Sequence, residues 1–195
     1  MVEQIKQYCQ YEQQHWLPPL FVAVDNGLPW CTDFLLSKCD VDVNEVCGGT
    51  TPLNRAIIRN YVTIVKLLLS HPGIKLNRQK NALHGPLHSA AVCQNSIIFQ
   101  LLLRHHQMDD INETDFMGYS CFMAACSVGN TSALELLVSS SLKTKLQTDL
   151  YCEGSKRTAS HLACAFGSFS VMEFLMRHGL FQPNVTTSSG ETPID

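Results

Sequence analysis

The side chains of this sequence that are best suited to metal binding or catalysis are its nine cysteines and eight histidines. A zinc site requires closely spaced ligand pairs such as C-x2-C, and the sequence contains no such pair. Cys31, Cys39 and Cys47 are spaced by eight residues, which matches no metal-binding pattern. We therefore predict that the chain has no metal site.

A nucleophilic centre needs a thiol or hydroxyl within reach of a base. Cys93 and His88 are five residues apart on one predicted helix, and this spacing turns their side chains away from each other. No G-x-x-x-x-G-K-[ST] phosphate loop and no G-x-S-x-G elbow occurs. We expect no catalytic residue, no cofactor and no enzymatic activity in these residues, although the remainder of a longer protein could carry an active domain.

Two adjacent histidines, His105 and His106, follow the apolar run at residues 101–103. A histidine at a helix end can meet free carbonyls and the negative end of the helix dipole. We interpret the pair as a helix terminus, with a metal-binding pair as the alternative.

Composition limits the partners and the compartment. The chain has 195 residues, 45% apolar and 16% charged, with 14 Lys+Arg against 17 Asp+Glu and a net charge of −3. Since nucleic-acid binding requires a basic surplus, we expect no nucleic-acid partner. The N-terminus lacks the apolar core of a secretory signal, and no later stretch approaches eighteen continuous apolar residues. We expect a monomeric, intracellular, cytoplasmic protein with reduced cysteines and no membrane insertion.

The elements that position these side chains follow an internal repeat. Pro19, Pro52, Pro86, Cys121, Ala159 and Pro193 occupy equivalent positions, at separations of 33, 34, 35, 38 and 34 residues. Each of the first five anchors is followed four residues later by alanine, and fifteen and sixteen residues later by Phe-Leu or Leu-Leu. All variation in length therefore falls in the connecting loops, where insertions cost little.

The repeat resembles the ankyrin family, whose period is 33 residues. The resemblance covers almost the whole chain and is plainest at residues 49–53 (GTTPL), 85–88 (GPLH), Thr158 with His161, and 190–194 (GETPI). It implies an all-α ankyrin-repeat solenoid of helix-turn-helix units with projecting loop fingers. It also implies that His88 and His161 make structural hydrogen bonds to the turn beside them.

We predict one ankyrin-repeat domain over residues 1–195, cut from a longer protein. Residues 1–15 are expected to form an N-terminal capping helix, because an end repeat must present a polar outer face. The repeats are expected at about 16–48, 49–82, 83–117, 118–155 and 156–189, with 190–195 beginning a sixth. Asn60 and Gln94 replace the inter-helix glycine, and we expect the third repeat to turn at Asn95 instead.

The resemblance implies that a partner meets the concave side, formed by the first helices and the fingers. Apolar residues are common at the first-helix positions that should face water. We predict a partner-binding surface formed by Ile58, Arg59, Val92, Cys93, Phe116, Met117, Tyr119, Val128, Tyr151, Arg157 and Phe166. A surface closed by packing of these residues on one another is the alternative.

The most direct functional reading is a protein-protein interaction module that binds another protein or a peptide on its concave face. Two other readings stay open. The chain could be a targeting region of a larger enzyme or bacterial effector, or an intramolecular scaffold whose apolar surface is covered in cis. The finger at residues 142–157 carries Lys143, Lys145, Lys156 and Arg157, so it is either a clamp for an acidic segment or a solvated insertion.

Overall fold

The computed structural model describes residues 17–76, 85–105, 110–140, 145–152 and 154–195, and the predicted capping helix at 1–15 lies outside them. The chain divides into two compact units, an N-terminal unit (1–82) and a C-terminal unit (83–195). The helices of the N-terminal unit are α1 (Pro19–Asp25), α2 (Pro29–Lys38), α3 (Pro52–Ile58) and α4 (Val62–Ser70). Those of the C-terminal unit are α5 (Pro86–Val92), α6 (Ser96–Leu103), α7 (Cys121–Ser127), α8 (Thr131–Ser139), α9 (Ala159–Ala165) and α10 (Phe169–Arg177).

The predicted all-α class is confirmed. Within the described ranges the chain forms helices and isolated β-bridges but no strands. Each predicted repeat supplies a short first helix of seven residues and a second helix of eight to ten. Helices this short are marginal in isolation, so their stability has to come from packing against their neighbours.

Side-chain caps begin several first helices. The Thr51 hydroxyl accepts a 3.2 Å hydrogen bond from the Asn54 amide at the start of α3, and the Ser120 hydroxyl caps α7 in the same way. Proline at the first helical position lacks an N–H that would have no intrahelical partner there, which favours α1, α3 and α5. The cap residues and prolines therefore fix where each repeat starts.

The alanine column lines the packed interface between first helices. All five alanines are buried, and α1 packs on α3 in the N-terminal unit while α7 packs on both α5 and α9 in the C-terminal unit. The second helices pack in the same order, α2 on α4, and α8 on both α6 and α10. A methyl side chain lets two helix backbones approach closely, which is compatible with the packing of these helices.

The turn in the third repeat differs from the prediction. Gln94 adopts the left-handed conformation with φ 56°, whereas Asn95 has φ −95°, so the expectation of a turn at Asn95 is wrong. Asn95 is needed in an extended conformation because its side chain caps α6, accepting from the amides of Ile97 and Ile98. Gln94 offsets its strain with a 2.8 Å hydrogen bond from its carboxamide to the carbonyl of Val128.

Asparagine side chains tie successive loops together. The Asn44 carboxamide donates to the carbonyl of Gly73 and accepts from the Lys75 amide, both at 2.8 Å. Asn112 repeats this arrangement with Lys145 and Gln147 in the C-terminal unit, at 2.6 and 2.7 Å. These bonds hold the loops from which the fingers project.

Three fingers are hairpins closed by isolated bridges. The bridges pair Cys47 with Thr50, Thr114 with Ser120, and Tyr151 with Thr158, so each finger ends where a first helix begins. Residues 190–195 form turns and no helix. The repeat boundaries and the start of a sixth repeat remain predictions.

Candidate partner-binding surfaces

The inner face of the N-terminal unit carries a charged cluster. Arg55, Ile58 and Arg59 lie at positions i, i+3 and i+4 along α3 and its C-cap, so they share one face of the helix. Asp25, the last residue of α1, contacts both arginines: its Oδ1 atom lies 2.8 Å from Nε of Arg55 and 3.1 Å from Nη2 of Arg59. Ile58 is exposed beside this cluster.

Arg55 also makes a cation–π contact with an aromatic ring of the core. Its guanidinium carbon lies 5.7 Å from the centroid of the Phe21 ring, which is itself buried in the core. Because the ring attracts the cation and restricts its motion, Arg55 is pre-positioned before any partner arrives. Arg59 was predicted from the sequence and Arg55 was not, since the Arg55 contact depends on α1 packing beside α3.

In the C-terminal unit, the ends of the first helices present apolar side chains. Val92 and Phe166 are exposed, Phe166 to 64%, while Cys93 and Val128 are half-buried. All four occupy the sixth or seventh position after the anchor, at or beside a helix C-cap, where the alanine column no longer packs. Burial raises the pKa of the Cys93 thiol, which therefore stays protonated and behaves as an apolar group.

The finger at residues 114–120 is built to display two apolar residues. The Asp115 carboxylate accepts from the amides of Met117 and Tyr119, both at 2.9 Å, and Gly118 turns the chain with φ 79°. Phe116 and Met117 at the tip are exposed, Phe116 to 65%. The Asp115 carboxylate is thus engaged by its own loop.

Tyr119 links this finger to the next. Its phenol interacts electrostatically with the thiol of Cys152, which is buried within the finger at residues 151–158. Desolvation raises the pKa of both groups, and the charge of Asp115 adds to the rise for each. Tyr119 is half-buried, and its side chain supports the finger at residues 151–158.

The second finger exposes its aromatic and basic residues. Tyr151 and Arg157 are exposed on opposite arms of the hairpin, and Lys156 between them is left-handed with φ 54°. Of the predicted clamp lysines, Lys143 lies outside the described residues, whereas Lys145 and Lys156 are exposed.

Most of the predicted binding residues face solvent. The eight exposed ones are Ile58, Arg59, Val92, Phe116, Met117, Tyr151, Arg157 and Phe166; the half-buried ones are Cys93, Tyr119 and Val128. The N-terminal unit carries the first two, and the C-terminal unit carries the rest. Whether they contact a partner remains a prediction.

A second set of exposed apolar residues was not predicted from the sequence. Trp30, Ile97 and Phe169 each lie at the start of a second helix, and Phe169 reaches 77% exposure. Trp30 stacks on Phe34 at a centroid distance of 5.8 Å. The signal was present as an apolar residue ten or eleven positions after the anchor.

His88 and His161 make structural hydrogen bonds of the kind that the ankyrin resemblance implies. Nε2 of His88 bonds the backbone carbonyl of Tyr119, and Nε2 of His161 lies 3.2 Å from the carbonyl oxygen of Glu191, in each case in the following finger. Nδ1 of His161 also accepts from the Thr158 amide at 3.2 Å, completing a capping box. Both rings are buried and occupied by this structural role.

A cleft of about 530 Å³ lies in the C-terminal unit beside α9 and α10. Arg157, His161, Cys164 and Met172 line it together with the turn at residues 191–195. Cys126 is buried, whereas Cys164 is half-buried because its side chain borders this cleft. Burial still raises the pKa of the Cys164 thiol, so it is a poor nucleophile at neutral pH.

Among the described residues no three His, Cys, Asp or Glu side chains are grouped closely enough to hold a metal ion. His105 lies at the end of α6, whereas His106 lies outside the described residues, which leaves their pairing as a prediction. None of the described helices is long and apolar enough to cross a membrane.

The sequence matches the family description "Ankyrin repeats (3 copies)" at residues 3–80, 20–115 and 122–195. In structure, the chain resembles an ankyrin repeat protein, EF0377, whose crystal structure superposes with a TM-score of 0.78 at 24% identity, covering 90% of this chain and 88% of that one. At that identity the likeness shows the fold alone.

Curated relatives are diverse. The chain is 31% identical over 133 residues to the human transient receptor potential cation channel subfamily A member 1, covering 67% of this chain and 11% of the channel. It is 27% identical over 159 residues to the human SMC5-SMC6 complex localization factor protein 1, covering 73% of this chain and 15% of that protein. It is 30% identical over 132 residues to the probable 26S proteasome regulatory subunit p28 of Saccharomyces cerevisiae, covering 66% and 55%. The chain thus spans between about a tenth and about half of these proteins.

Proposed function

Because this chain belongs to the ankyrin-repeat family, we propose that it binds a partner protein, as an extended peptide or a helix, through the first helices and fingers of its repeats. Ankyrin repeats are generally protein-protein interaction modules. In this proposal the chain acts as a monomer in the cytoplasm, has no catalytic role of its own, and needs no cofactor.

The observation that carries the proposal is the exposure of large apolar side chains at the finger tip and the first-helix ends of the C-terminal unit. Phe116 and Phe166 are each about two-thirds exposed. Burying one such ring removes enough apolar surface from water to contribute roughly 1.5–3 kcal/mol. Aromatic anchors of this kind dominate the binding energy of interfaces.

Two alternative functions are also compatible with these observations. The chain could recruit a substrate or target for a larger protein, since it spans only part of the relatives it matches. It could also act as a scaffold whose apolar residues are covered by another segment of the same protein. The full-length sequence separates these cases, because a catalytic domain or a complementary apolar segment would be visible in it.

The proposal is tested by affinity capture from a lysate followed by mass spectrometry, comparing the wild type with a Phe116→Lys, Phe166→Glu double variant. Phe169→Lys is the matched control, since Phe169 is even more exposed but begins a second helix. Circular dichroism checks that all three proteins keep their helices. We expect a partner that the wild type and the control capture and the double variant loses. Equal capture by all three, or loss only with the control, contradicts the proposal.

A further inference from the structure

We infer that the arginine pair on the inner face of the N-terminal unit, Arg55 and Arg59, binds a carboxylate side chain of the partner. This inference rests on the proposed function and adds the chemistry of one part of the partner. We expect the bound segment to carry an apolar residue next to its acidic residue, because Ile58 lies exposed beside the two arginines on α3.

Charge balance in the cluster favours an incoming anion. All three nitrogen contacts fall on one oxygen, Oδ1 of Asp25: Nε of Arg55 at 2.8 Å, and Nε and Nη2 of Arg59 at 3.2 and 3.1 Å. Two guanidinium groups against one carboxylate leave a surplus of one positive charge. The Arg59 contacts are hydrogen bonds, whereas the Arg55 contact lacks hydrogen-bond geometry and leaves the buried Nε–H of Arg55 without an acceptor among the described residues. Since a guanidinium carries five N–H donors, the pair has donors to offer a further acceptor.

The cluster is accessible and already ordered. The side chains of Arg55 and Arg59 are 32% and 50% exposed. The Phe21 ring behind Arg55 and the Asp25 carboxylate between the arginines restrict both side chains before binding. Pre-ordering lowers the entropic cost of binding, which otherwise cancels much of the gain from a surface charge pair.

A carboxylate fits this site better than a phosphate. The surplus of one positive charge matches a single carboxylate, whereas a phosphomonoester near −2 would face the Asp25 carboxylate with an excess of negative charge. A purely structural role explains the exposure of Arg59 poorly, because exposed ion pairs contribute little to stability.

A random dodecapeptide display library provides the probe, selected on the wild type and on an Arg55→Gln, Arg59→Gln double variant. We expect peptides selected by the wild type to share an Asp or Glu next to an apolar residue, and the double variant to lose that preference. Lys66→Gln is the control, since Lys66 is an exposed charge on α4, and it should leave the preference unchanged.

A synthetic peptide from the selection then gives the magnitude. We expect the double variant to raise Kd about tenfold, and replacement of the peptide acid by its amide to do the same with no further loss when the two changes are combined. Asp25→Asn should lower Kd for the acidic peptide about two- to fivefold, an effect that a structural ion pair would not produce. If the double variant loses helicity, Arg59→Gln alone replaces it, with an expected rise of about two- to fivefold.

The outcomes separate this inference from the proposed function. Selection of apolar peptides that need Phe116 and Phe166 but show no acid preference overturns the inference and leaves the function standing. An acid preference that survives the double variant, or a phosphoserine peptide that binds more tightly than its glutamate counterpart, also overturns it. Selection of no peptide at all contradicts peptide recognition itself.

Discussion

The side-chain amide of Asn130 donates a 2.7 Å hydrogen bond to the backbone carbonyl of Ala91, thirty-nine residues earlier in the chain. The same side chain caps α8, its oxygen accepting from the Ala133 amide at 3.0 Å. Asn130 is buried, so one residue both starts a helix and joins two neighbouring repeats of the C-terminal unit.

Asn130→Ala is expected to lower the free energy of unfolding by about 2 kcal/mol, because it removes a cap and leaves a buried carbonyl without its donor. Urea denaturation followed by circular dichroism measures the change. Asn184→Ala serves as the control, since Asn184 is exposed, and it should change stability by less than about 0.5 kcal/mol. Equal effects of the two changes would show that the inter-repeat bond contributes nothing.

Gly27→Ala is expected to destabilise the N-terminal unit for two reasons. Gly27 has φ 65°, which costs an L-residue about 1–2 kcal/mol, and an added Cβ would lie 2.7 Å from Cζ of the Tyr61 ring. Gly179→Ala isolates the first cost, because Gly179 has φ 66° with open space around it. Thermal denaturation should show a larger fall in Tm for Gly27→Ala, and equal shifts would mean that the ring moves aside freely.

The Cys121 thiol gives the protein a sensitivity to alkaline pH. Cys121 is buried, and desolvation raises its pKa from 9.0 to about 12. Above pH 9 the unfolded chain loses this proton while the folded chain keeps it, so the unfolded state is favoured as pH rises towards 12.

Comparison with Cys121→Ser isolates this effect, because serine does not titrate and can keep the bond that the thiol donates to the Ile111 carbonyl. At pH 10 the wild type should have lost about 1.4 kcal/mol of stability relative to its value at pH 8, beyond any loss in the variant. Urea denaturation at both pH values measures it. Parallel losses in the two proteins would show that Cys121 ionises as easily in the folded state as in the unfolded one.

The helices and the core were predictable from the sequence because their signals are local. The alanine column, the Leu pairs and caps such as Thr51 lie at fixed distances from each anchor, and each determines structure within its own repeat. Contacts between repeats were less predictable. Gln94 takes the left-handed turn partly because the carbonyl of Val128, thirty-four residues away, accepts its side-chain hydrogen bond.

Some residues of the candidate sites were predictable from the sequence, and others depend on contacts between repeats. Phe116 and Phe166 were predicted to be exposed from their places in a finger and at a first-helix end, and both are exposed. The pairing of Arg55 with Asp25 depends on how α1 packs on α3, so its residues gave no signal of their own.

The most direct test of the proposed function is the dissociation constant of a captured partner, measured by calorimetry for the wild type and four variants. Loss of both aromatic anchors in Phe116→Lys, Phe166→Glu should raise Kd at least tenfold, and each single change should contribute a part of that rise. Phe169→Lys should change Kd less than twofold. A partner whose Kd rises with Phe169→Lys and is unaffected by the double variant would contradict binding at the finger tips and first-helix ends, and would place its contact at the second helices.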